Sequence, residues 1–190
     1  MEVHEPPATY AEYRLLPEDA PRYEIIEGVG YLSPSPGGRH QRVSANVMRA
    51  LDRVVHRGKH GQLFAAPLDV VFSEENVVQP DILFVARDRT AIIRGRGIFG
   101  APDLVVEILS PSNAAREFQQ KFSLYREFGV REYWIIDLEN RTVDVWTGKE
   151  QPLDTRRVIA GDGTVGSGVL PALAVGLDEI FEGVDEIPVD

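Results

Sequence analysis

Two carboxylates interrupt apolar runs in this sequence. Asp81 lies in VVQPDILFV (77–85) and Glu107 in DLVVEILS (103–110). Burying an unpaired carboxylate is costly, so each side chain should meet a cation, a base or hydrogen-bond donors. If the two strands are adjacent, both acids can reach one hard cation, because Mg²⁺ commonly takes one or two carboxylates plus water. A solvent-facing edge position is the alternative for each acid, more so for Asp81.

A lysine and a third acid could join this pair. Glu117, Lys121 and Tyr125 are spaced four residues apart, so a helix would carry all three on one face. From the spacing alone, an ordinary exposed ion pair between Glu117 and Lys121 is the stronger explanation. Glu27 is expected at the tip of an early hairpin, from which it could approach the same region.

These residue types together suit the hydrolysis of a phosphodiester. A metal ion bound by Asp81 and Glu107 would polarise the phosphate and acidify water. The ammonium group of Lys121 would orient that water or stabilise the transition state. Residues 39–60, with six Lys and Arg against one Asp, could hold the charged substrate, although a solvated helix face is the alternative. The candidate DNA contacts in this segment are Arg39, Arg42, Arg49 and Arg53.

Composition limits the class of protein. The 190 residues include 30 acidic and 20 basic ones, a formal net charge of −10, which excludes a surface that attracts nucleic acid everywhere but not a local basic patch. The absence of cysteine excludes disulfides, thiolate metal sites and cysteine catalysis. No apolar run of membrane-spanning length and no signal-peptide pattern occur, so a cytoplasmic protein is expected. The acidic end at 178–190 predicts a solvated tail or a terminal helix.

The hydrophobic pattern predicts an order of helices and strands that is typical of one mixed sheet flanked by helices. The fold expected is therefore α/β or α+β, in a single domain (1–190) whose core spans about residues 10–182. The predicted helices are 9–16, with a Thr9–Glu12 capping box, a long basic helix ending at Gly58, 114–128 capped by Ser112 or Asn113, and 177–181. The predicted strands are 23–26 and 29–32, which form a hairpin, then 62–66, 68–72, 78–85, 103–109, 132–137 and 142–146.

Several of these segments in combination resemble a known family. They are YEIIEG (23–28), SPSPGGRHQ (33–41), PDILFV (80–85), PDLVVEILSPS (102–112), the run from Lys121 to Asp137, and GVLP (168–171). Together they resemble the Uma-two family of restriction-endonuclease-like proteins, within the PD-(D/E)XK nuclease superfamily. The resemblance implies a restriction-endonuclease-like core, a mixed sheet flanked by helices, with Mg²⁺ or Mn²⁺ at the acids.

Carried over to this chain, the resemblance assigns the metal ligands. Asp81 corresponds to the strand aspartate and Glu107 to the second acid, while the carbonyl of Ile108 would supply a third ligand. The lysine that usually follows the second acid would fall at Leu109, and Lys121 on the next helix takes its place.

The resemblance also assigns supporting residues. Glu27 corresponds to the family's N-terminal acid, and His40 to a histidine at the start of a helix. A polar residue at a helix start is an equally good explanation of His40. Glu117 departs from the family pattern, which more often has aspartate there.

The sequence therefore predicts a Mg²⁺-dependent endonuclease that hydrolyses DNA and forms a homodimer, with Asp81, Glu107, Lys121, Glu27 and His40 in its catalytic site. One alternative is a non-catalytic DNA-binding or assembly protein on a degenerate nuclease scaffold. Another is a phosphatase or nucleotide hydrolase, which lacks support because GRGIFG (95–100) has no Lys-Ser/Thr ending.

Overall fold

A computed structural model describes residues 5–17, 19–33, 35–109, 114–148 and 151–188, with the backbone alone for residues 114–117. The helices in this part of the chain are α1 (Tyr10–Tyr13), α2 (Gly38–Gly58), α3 (Ala114–Glu127) and α4 (Leu177–Ile180), with a 3₁₀ helix at Arg87–Ile92. The strands are β1 (Tyr23–Ile26), β2 (Val29–Leu32), β3 (Gly61–Ala65), β4 (Asp69–Ser73), β5 (Asn76–Val78), β6 (Ile82–Ala86), β7 (Ile93–Arg94), β8 (Gly97–Phe99), β9 (Leu104–Leu109), β10 (Glu132–Asp137), β11 (Thr142–Thr147), β12 (Thr155–Ile159), β13 (Thr164–Gly166) and β14 (Ala174–Gly176).

Two mixed sheets dominate the architecture. Sheet A has the strand order β2-β1-β5-β4-β8-β7 and sheet B the order β12-β11-β10-β9-β6-β3, while β13 and β14 pair with each other. In sheet B the central strand β9 pairs parallel with β10 and antiparallel with β6. The buried central strand predicted at 103–109 is therefore present, between two neighbours.

The expectation of one sheet, with a strand over 78–85, was wrong. That stretch divides into β5, in sheet A, and β6, in sheet B, at Gln79–Asp81. Pro80 explains the break, since a proline has no N–H to give to a strand ladder. The chain leaves one sheet before Pro80 and enters the other just after Asp81, so Asp81 lies where the two sheets meet.

The two faces of sheet B bury different partners, because successive side chains of a strand point to opposite sides. Val106 and Ile108 of β9 pack in a hydrophobic cluster with α2 and the C-terminal segment. Val105 packs in a second cluster with Tyr125 of α3 and with residues of sheet A. Glu107 follows Val105 by two positions on the same strand, so its side chain lies on the same face, towards α3 and sheet A.

Several local predictions are confirmed. Thr9 caps α1 in a complete capping box with Glu12, and β1 pairs with β2 as the predicted hairpin. The helix α2 ends as expected at Gly58, although the left-handed residue that stops it is Lys59 (φ 52°) rather than a glycine. The proposed caps Ser112 and Asn113 lie outside the described residues.

The acidic C-terminal segment is ordered as far as residue 188, more so than a solvated tail would be. The predicted terminal helix is present as α4, and the side-chain amide of Asn46 on α2 donates to the carbonyls of Ile180 (3.0 Å) and Glu182 (2.9 Å). The C-terminal segment is thereby tied to α2. Within the described ranges, no helix combines the length and apolarity that crossing a membrane requires.

Candidate active site

Asp81 and Glu107 face each other across two antiparallel strands. The register pairs Ile82 with Val106, so the next pair along the ladder is Asp81 with Glu107. Directly opposed residues of this kind have Cβ atoms about 5 Å apart. The backbone N–H of Ile108 donates to Asp81 Oδ2 at 2.7 Å, which fixes the aspartate against β9. The two predicted metal-binding acids are therefore brought together.

Lys121 reaches this pair from α3. Its Nζ lies 3.1 Å from Glu107 Oε1 and 2.9 Å from Glu24 Oε1, and only 6% of its side chain is exposed. The partner that the spacing favoured for Lys121 was Glu117, whose side chain lies outside the described residues. The structure shows a buried ammonium group shared between two carboxylates.

Glu24 is the functional candidate that sequence reasoning missed. It lies on β1 of sheet A and is 5% exposed, and the backbone N–H of Gln79 donates to its Oε1 at 2.8 Å. Glu24 interrupts the otherwise apolar strand YEII, all four residues of which are buried. The criterion that selected Asp81 and Glu107, a carboxylate inside an apolar strand, therefore also applied to it.

Glu27 does not reach the site. It is exposed at the turn between β1 and β2, with φ at 52°, and its backbone N–H donates to the side chain of Asn76. Glu27 and Gly28 both have positive φ, as the two central residues of a tight hairpin turn do. The structure corrects the assignment of Glu27 to the site, because this residue lies three positions after Glu24, at the exposed turn of the same hairpin.

His40 lies in the first turn of α2 and contacts Asp81. Its Nε2 is 3.1 Å from Asp81 Oδ2, so Asp81 accepts from both His40 and the backbone of Ile108 when Nε2 carries the proton. His40 Nδ1 is buried and has no hydrogen-bond partner among the described residues. His40 therefore holds the aspartate in place through Nε2.

Tyr125 orients Glu107 from within the core. Its hydroxyl donates to Glu107 Oε1 at 2.6 Å, and the whole side chain is buried. It packs edge-on against Tyr133, with ring centroids 5.0 Å apart. Burial and the neighbouring Glu107 hold the pKa of Tyr125 well above its usual value, so the hydroxyl remains a donor. The sequence indicated a core aromatic residue, which it is, but not this hydrogen bond.

The site is electrostatically unbalanced. The described site holds three carboxylates, Glu24, Asp81 and Glu107, and the ammonium group of Lys121 pairs with the first and the last of them. Burial, together with the charges of Asp81 and Glu24, raises the pKa of Glu107 to about 8, although Lys121 and the Tyr125 hydroxyl act to lower it. Glu107 therefore retains a proton near neutral pH unless a cation takes its place.

These groups open into a cavity of about 480 Å³. Its walls include Glu24, Asp81, Glu107 and Lys121, together with His40, Gln41 and Ser44 of α2 and the exposed Arg22. A substrate in this cavity would contact the acids, the lysine and the start of α2 at once.

A divalent metal fits this donor set. No group of three His, Asp or Glu side chains in the described ranges is arranged to hold a metal by itself. Asp81 and Glu107 nevertheless offer two carboxylates in register, and Ile108, which would offer its carbonyl, also lines the cavity. Two carboxylates plus water is the ligand set that Mg²⁺ commonly accepts. The chain contains no cysteine, so its donors are of the hard type.

The arginines predicted to contact DNA do not line this cavity. Arg49 pairs with Glu182 at 2.8 Å and Arg53 with Glu179, while Arg39 lies 3.6 Å from Asp185. The exposed Arg42 lies beside Gly183. The acidic C-terminal segment thus neutralises much of the basic face of α2.

Comparison with known proteins agrees with this architecture. Residues 10–177 match the Uma2 family, described as "Putative restriction endonuclease". The uncharacterized protein sll1609 of Synechocystis sp. is 27% identical over 132 residues, covering 68% of this chain and 74% of that protein. The crystal structure of a "putative nuclease belonging to DUF820" from Anabaena variabilis superposes with a TM-score of 0.79 at 25% identity, covering 94% of this chain and 99% of that chain.

The solved relative confirms the predicted fold class, a restriction-endonuclease-like α+β core with mixed sheets flanked by helices. The family match covers most of the chain, including Asp81, Glu107 and Lys121. The protein belongs to the Uma2 family of restriction-endonuclease-like proteins.

Proposed function

We propose that this protein is a metal-dependent endonuclease that hydrolyses phosphodiester bonds of DNA, with Mg²⁺ or Mn²⁺ as its cofactor. One observation carries the proposal: a buried lysine shared between Glu24 and Glu107, beside Asp81, in the wall of an open cavity. A buried, uneven charge cluster is a poor source of stability, so its presence in a cavity favours a role in chemistry. The family and the solved relative support nuclease activity.

Each residue has a distinct task in this proposal. Asp81 and Glu107, with the carbonyl of Ile108, would hold the cation, which when bound polarises the phosphate and acidifies water. Lys121 donates to the attacking water or to the charge that develops on the phosphate. The overall step joins the water oxygen to phosphorus and breaks one ester P–O bond, and a proton from the water ends on the departing sugar oxygen.

Two further residues position the others. Glu24 holds the ammonium group of Lys121 at 2.9 Å, in the place that the sequence had given to Glu27. His40 holds Asp81 Oδ2, so that the remaining oxygen of this carboxylate can turn to the cation. The predicted homodimer is a separate proposal, which light scattering on the purified protein would test.

The decisive experiment compares DNA cleavage by the wild type and Asp81→Ala. Supercoiled plasmid and a short duplex would each be incubated with Mg²⁺ or Mn²⁺, with Asp162→Ala as a matched control at an exposed acid outside the site. The expected result is cleavage by the wild type and the control but not by Asp81→Ala. Equal cleavage by all three proteins contradicts the assignment.

Metal binding provides an independent readout. Calorimetric titration with Mn²⁺ should show binding to the wild type that Glu107→Gln loses. If neither Mn²⁺ binding nor cleavage is detected for the wild type, the alternative of a non-catalytic protein on the same scaffold is favoured instead.

A further inference from the structure

A second cavity adjoins the candidate active site. It has a volume of about 320 Å³ and is lined by three arginines, Arg14, Arg22 and Arg96, together with Tyr10 and Tyr13. Arg22 also lines the first cavity. The two cavities therefore meet at one exposed guanidinium group.

The three arginines differ from those of α2 in their partners. Among the described residues none of them forms a salt bridge with a carboxylate, and the Arg14 guanidinium lies 5.9 Å from the centroid of the Tyr10 ring. The one acid among the described walls of this cavity is Asp69. Its Oδ1 accepts from Gln79 Nε2 at 2.8 Å, and burial raises its pKa. The described walls of this cavity consequently carry more arginines than acids, three against one.

Gln79 forms the link between the two cavities. Its backbone N–H donates to Glu24 in the first cavity, at 2.8 Å. Its side-chain amide donates to Tyr13 and Asp69, which line the second, at 3.1 and 2.8 Å. Because Gln79 directly precedes Pro80 and Asp81, the second cavity is held in a fixed position relative to the proposed metal ligands.

We propose that the second cavity, here called the arginine subsite (Arg14, Arg22 and Arg96), binds backbone phosphates of the DNA strand next to the phosphate that is cleaved. Guanidinium groups match the geometry of phosphate oxygens, and phosphate contacts of this kind position a nucleic acid without reading its sequence. The inference rests on the proposed nuclease function, because it extends the strand out of the first cavity across Arg22. It also explains how a chain with a net charge of −10 could hold DNA: the contact is local.

The test is DNA binding by the double variant Arg14→Gln/Arg96→Gln, which keeps Arg22. Fluorescence anisotropy with a labelled 12-base-pair duplex would be measured in EDTA, so that no cleavage occurs, over a series of salt concentrations. The matched control, Arg57→Gln/Arg87→Gln, removes the same charge at exposed arginines outside both cavities.

The subsite variant should bind roughly 10-fold or more weakly at low salt, and the slope of log K against log salt should fall by about 2, since each phosphate contact contributes about 0.9. The control should retain nearly wild-type affinity and slope. Equal losses in the two variants would mean a general charge effect and would overturn the proposal, as would undetectable binding by the wild type.

Ligand length adds a second criterion. A dinucleoside monophosphate has a single phosphate, the one that the first cavity would hold, so its binding should be the same in the wild type and the subsite variant, whereas the 12-mer should distinguish them. Inorganic phosphate tests the other source of the same chemistry. If it binds in an arginine-dependent manner while the 12-mer does not, the site is one for free anions and the proposal is overturned.

The two proposals can fail separately. Weaker 12-mer binding by the subsite variant, without metal-dependent cleavage by the wild type, supports the arginine subsite and contradicts the nuclease. Cleavage that depends on Asp81, with unchanged 12-mer binding by the subsite variant, supports the nuclease and contradicts the subsite.

Discussion

Two buried carboxylates near the same strand have opposite surroundings. Asp103, which directly precedes β9, is fully buried and accepts from Arg89 (2.8 Å), Arg131 (3.0 Å) and the backbone N–H of Ala86 (2.8 Å). Its charge is met by two cations and its hydrogen-bonding capacity is largely used. Such a group is a structural anchor, which fixes β9 to the segments around it.

Glu107, four residues later, lacks this balance. Its described partners are Lys121 and Tyr125, while two other carboxylates lie close enough to raise its pKa. It also lines the cavity of the candidate active site, and Asp103 does not. The comparison shows that burial of an acid does not by itself mark a functional site. Two properties distinguish Glu107 from Asp103. One is the ratio of acids to cations around the carboxylate, and the other is whether the carboxylate lines the cavity.

The largest expected difference is in activity. Glu107→Gln should lower DNA cleavage by roughly 1000-fold, equivalent to about 4 kcal/mol of transition-state stabilisation, because a proposed metal ligand loses its charge. Asp103→Asn should leave cleavage within a few-fold when rates are normalised to the folded fraction measured by circular dichroism. A loss of similar size in both variants would remove the distinction between anchor and active site.

The stability of the folded protein, unlike its activity, should depend strongly on Asp103. Asp103→Ala leaves two guanidinium groups and a buried N–H without their acceptor, and should destabilise the protein by about 3 kcal/mol. For a chain of this size that corresponds to a melting temperature lower by roughly 6–12 °C. Differential scanning calorimetry would measure it, with the exposed Asp88→Ala as the control expected to melt within about 2 °C of the wild type. An unchanged melting temperature for Asp103→Ala would contradict the anchoring role.

The pH dependence of stability gives a third way to separate the two acids. The pKa of Glu107 is raised from 4.5 to about 8 in the folded protein, so between these values the folded state binds more protons than the unfolded state. Stability from this group is therefore complete below pH 4.5 and is lost as the pH rises towards 8. Glu107→Gln, which resembles the protonated acid, removes that loss.

The measurement is a comparison of melting temperatures in EDTA at pH 5 and pH 8.5. The stability of Glu107→Gln relative to the wild type should increase between these values by on the order of 4 kcal/mol, or roughly 8–16 °C. Asp69, whose pKa is also raised by burial, is present in both proteins, so its effect cancels. A constant difference would show that Glu107 is ionised in the folded protein at both values.

Sequence reasoning found the parts of this site that local pattern determines. Asp81 and Glu107 were identified because each interrupts an apolar run, and their strands are neighbours in sheet B. Lys121 followed from helical spacing and from the resemblance to the family. The same rule also fits Glu132, whose carboxylate accepts from Trp134 Nε1 and the backbone of Gly168, so it selects anchors as well as sites.

The features that sequence reasoning missed depend on contacts between segments that are distant in the sequence. The pattern of β1 marks Glu24 as a candidate, but its place beside Lys121 follows from how sheet A meets sheet B, which the pattern of one strand does not contain. The pairing of Arg49 with Glu182 joins residues 133 positions apart, so a helix that is basic in sequence is largely neutral in the fold. Net charge by segment therefore overestimated the free positive charge on this helix.

The smallest effect is expected from Tyr125→Phe, which removes only the hydroxyl that donates to Glu107. Because that hydrogen bond lowers the pKa of Glu107, its loss should move the acidic limb of the pH–rate profile to higher pH and reduce cleavage by a few-fold near neutral pH. Stability should fall by about 1 kcal/mol, the usual value of one hydrogen bond. Phe122→Leu, a change in the same apolar cluster without a polar group, is the control. If both variants lose stability and only Tyr125→Phe shifts the profile, Tyr125 acts on Glu107 itself, whereas identical profiles would reduce its role to packing.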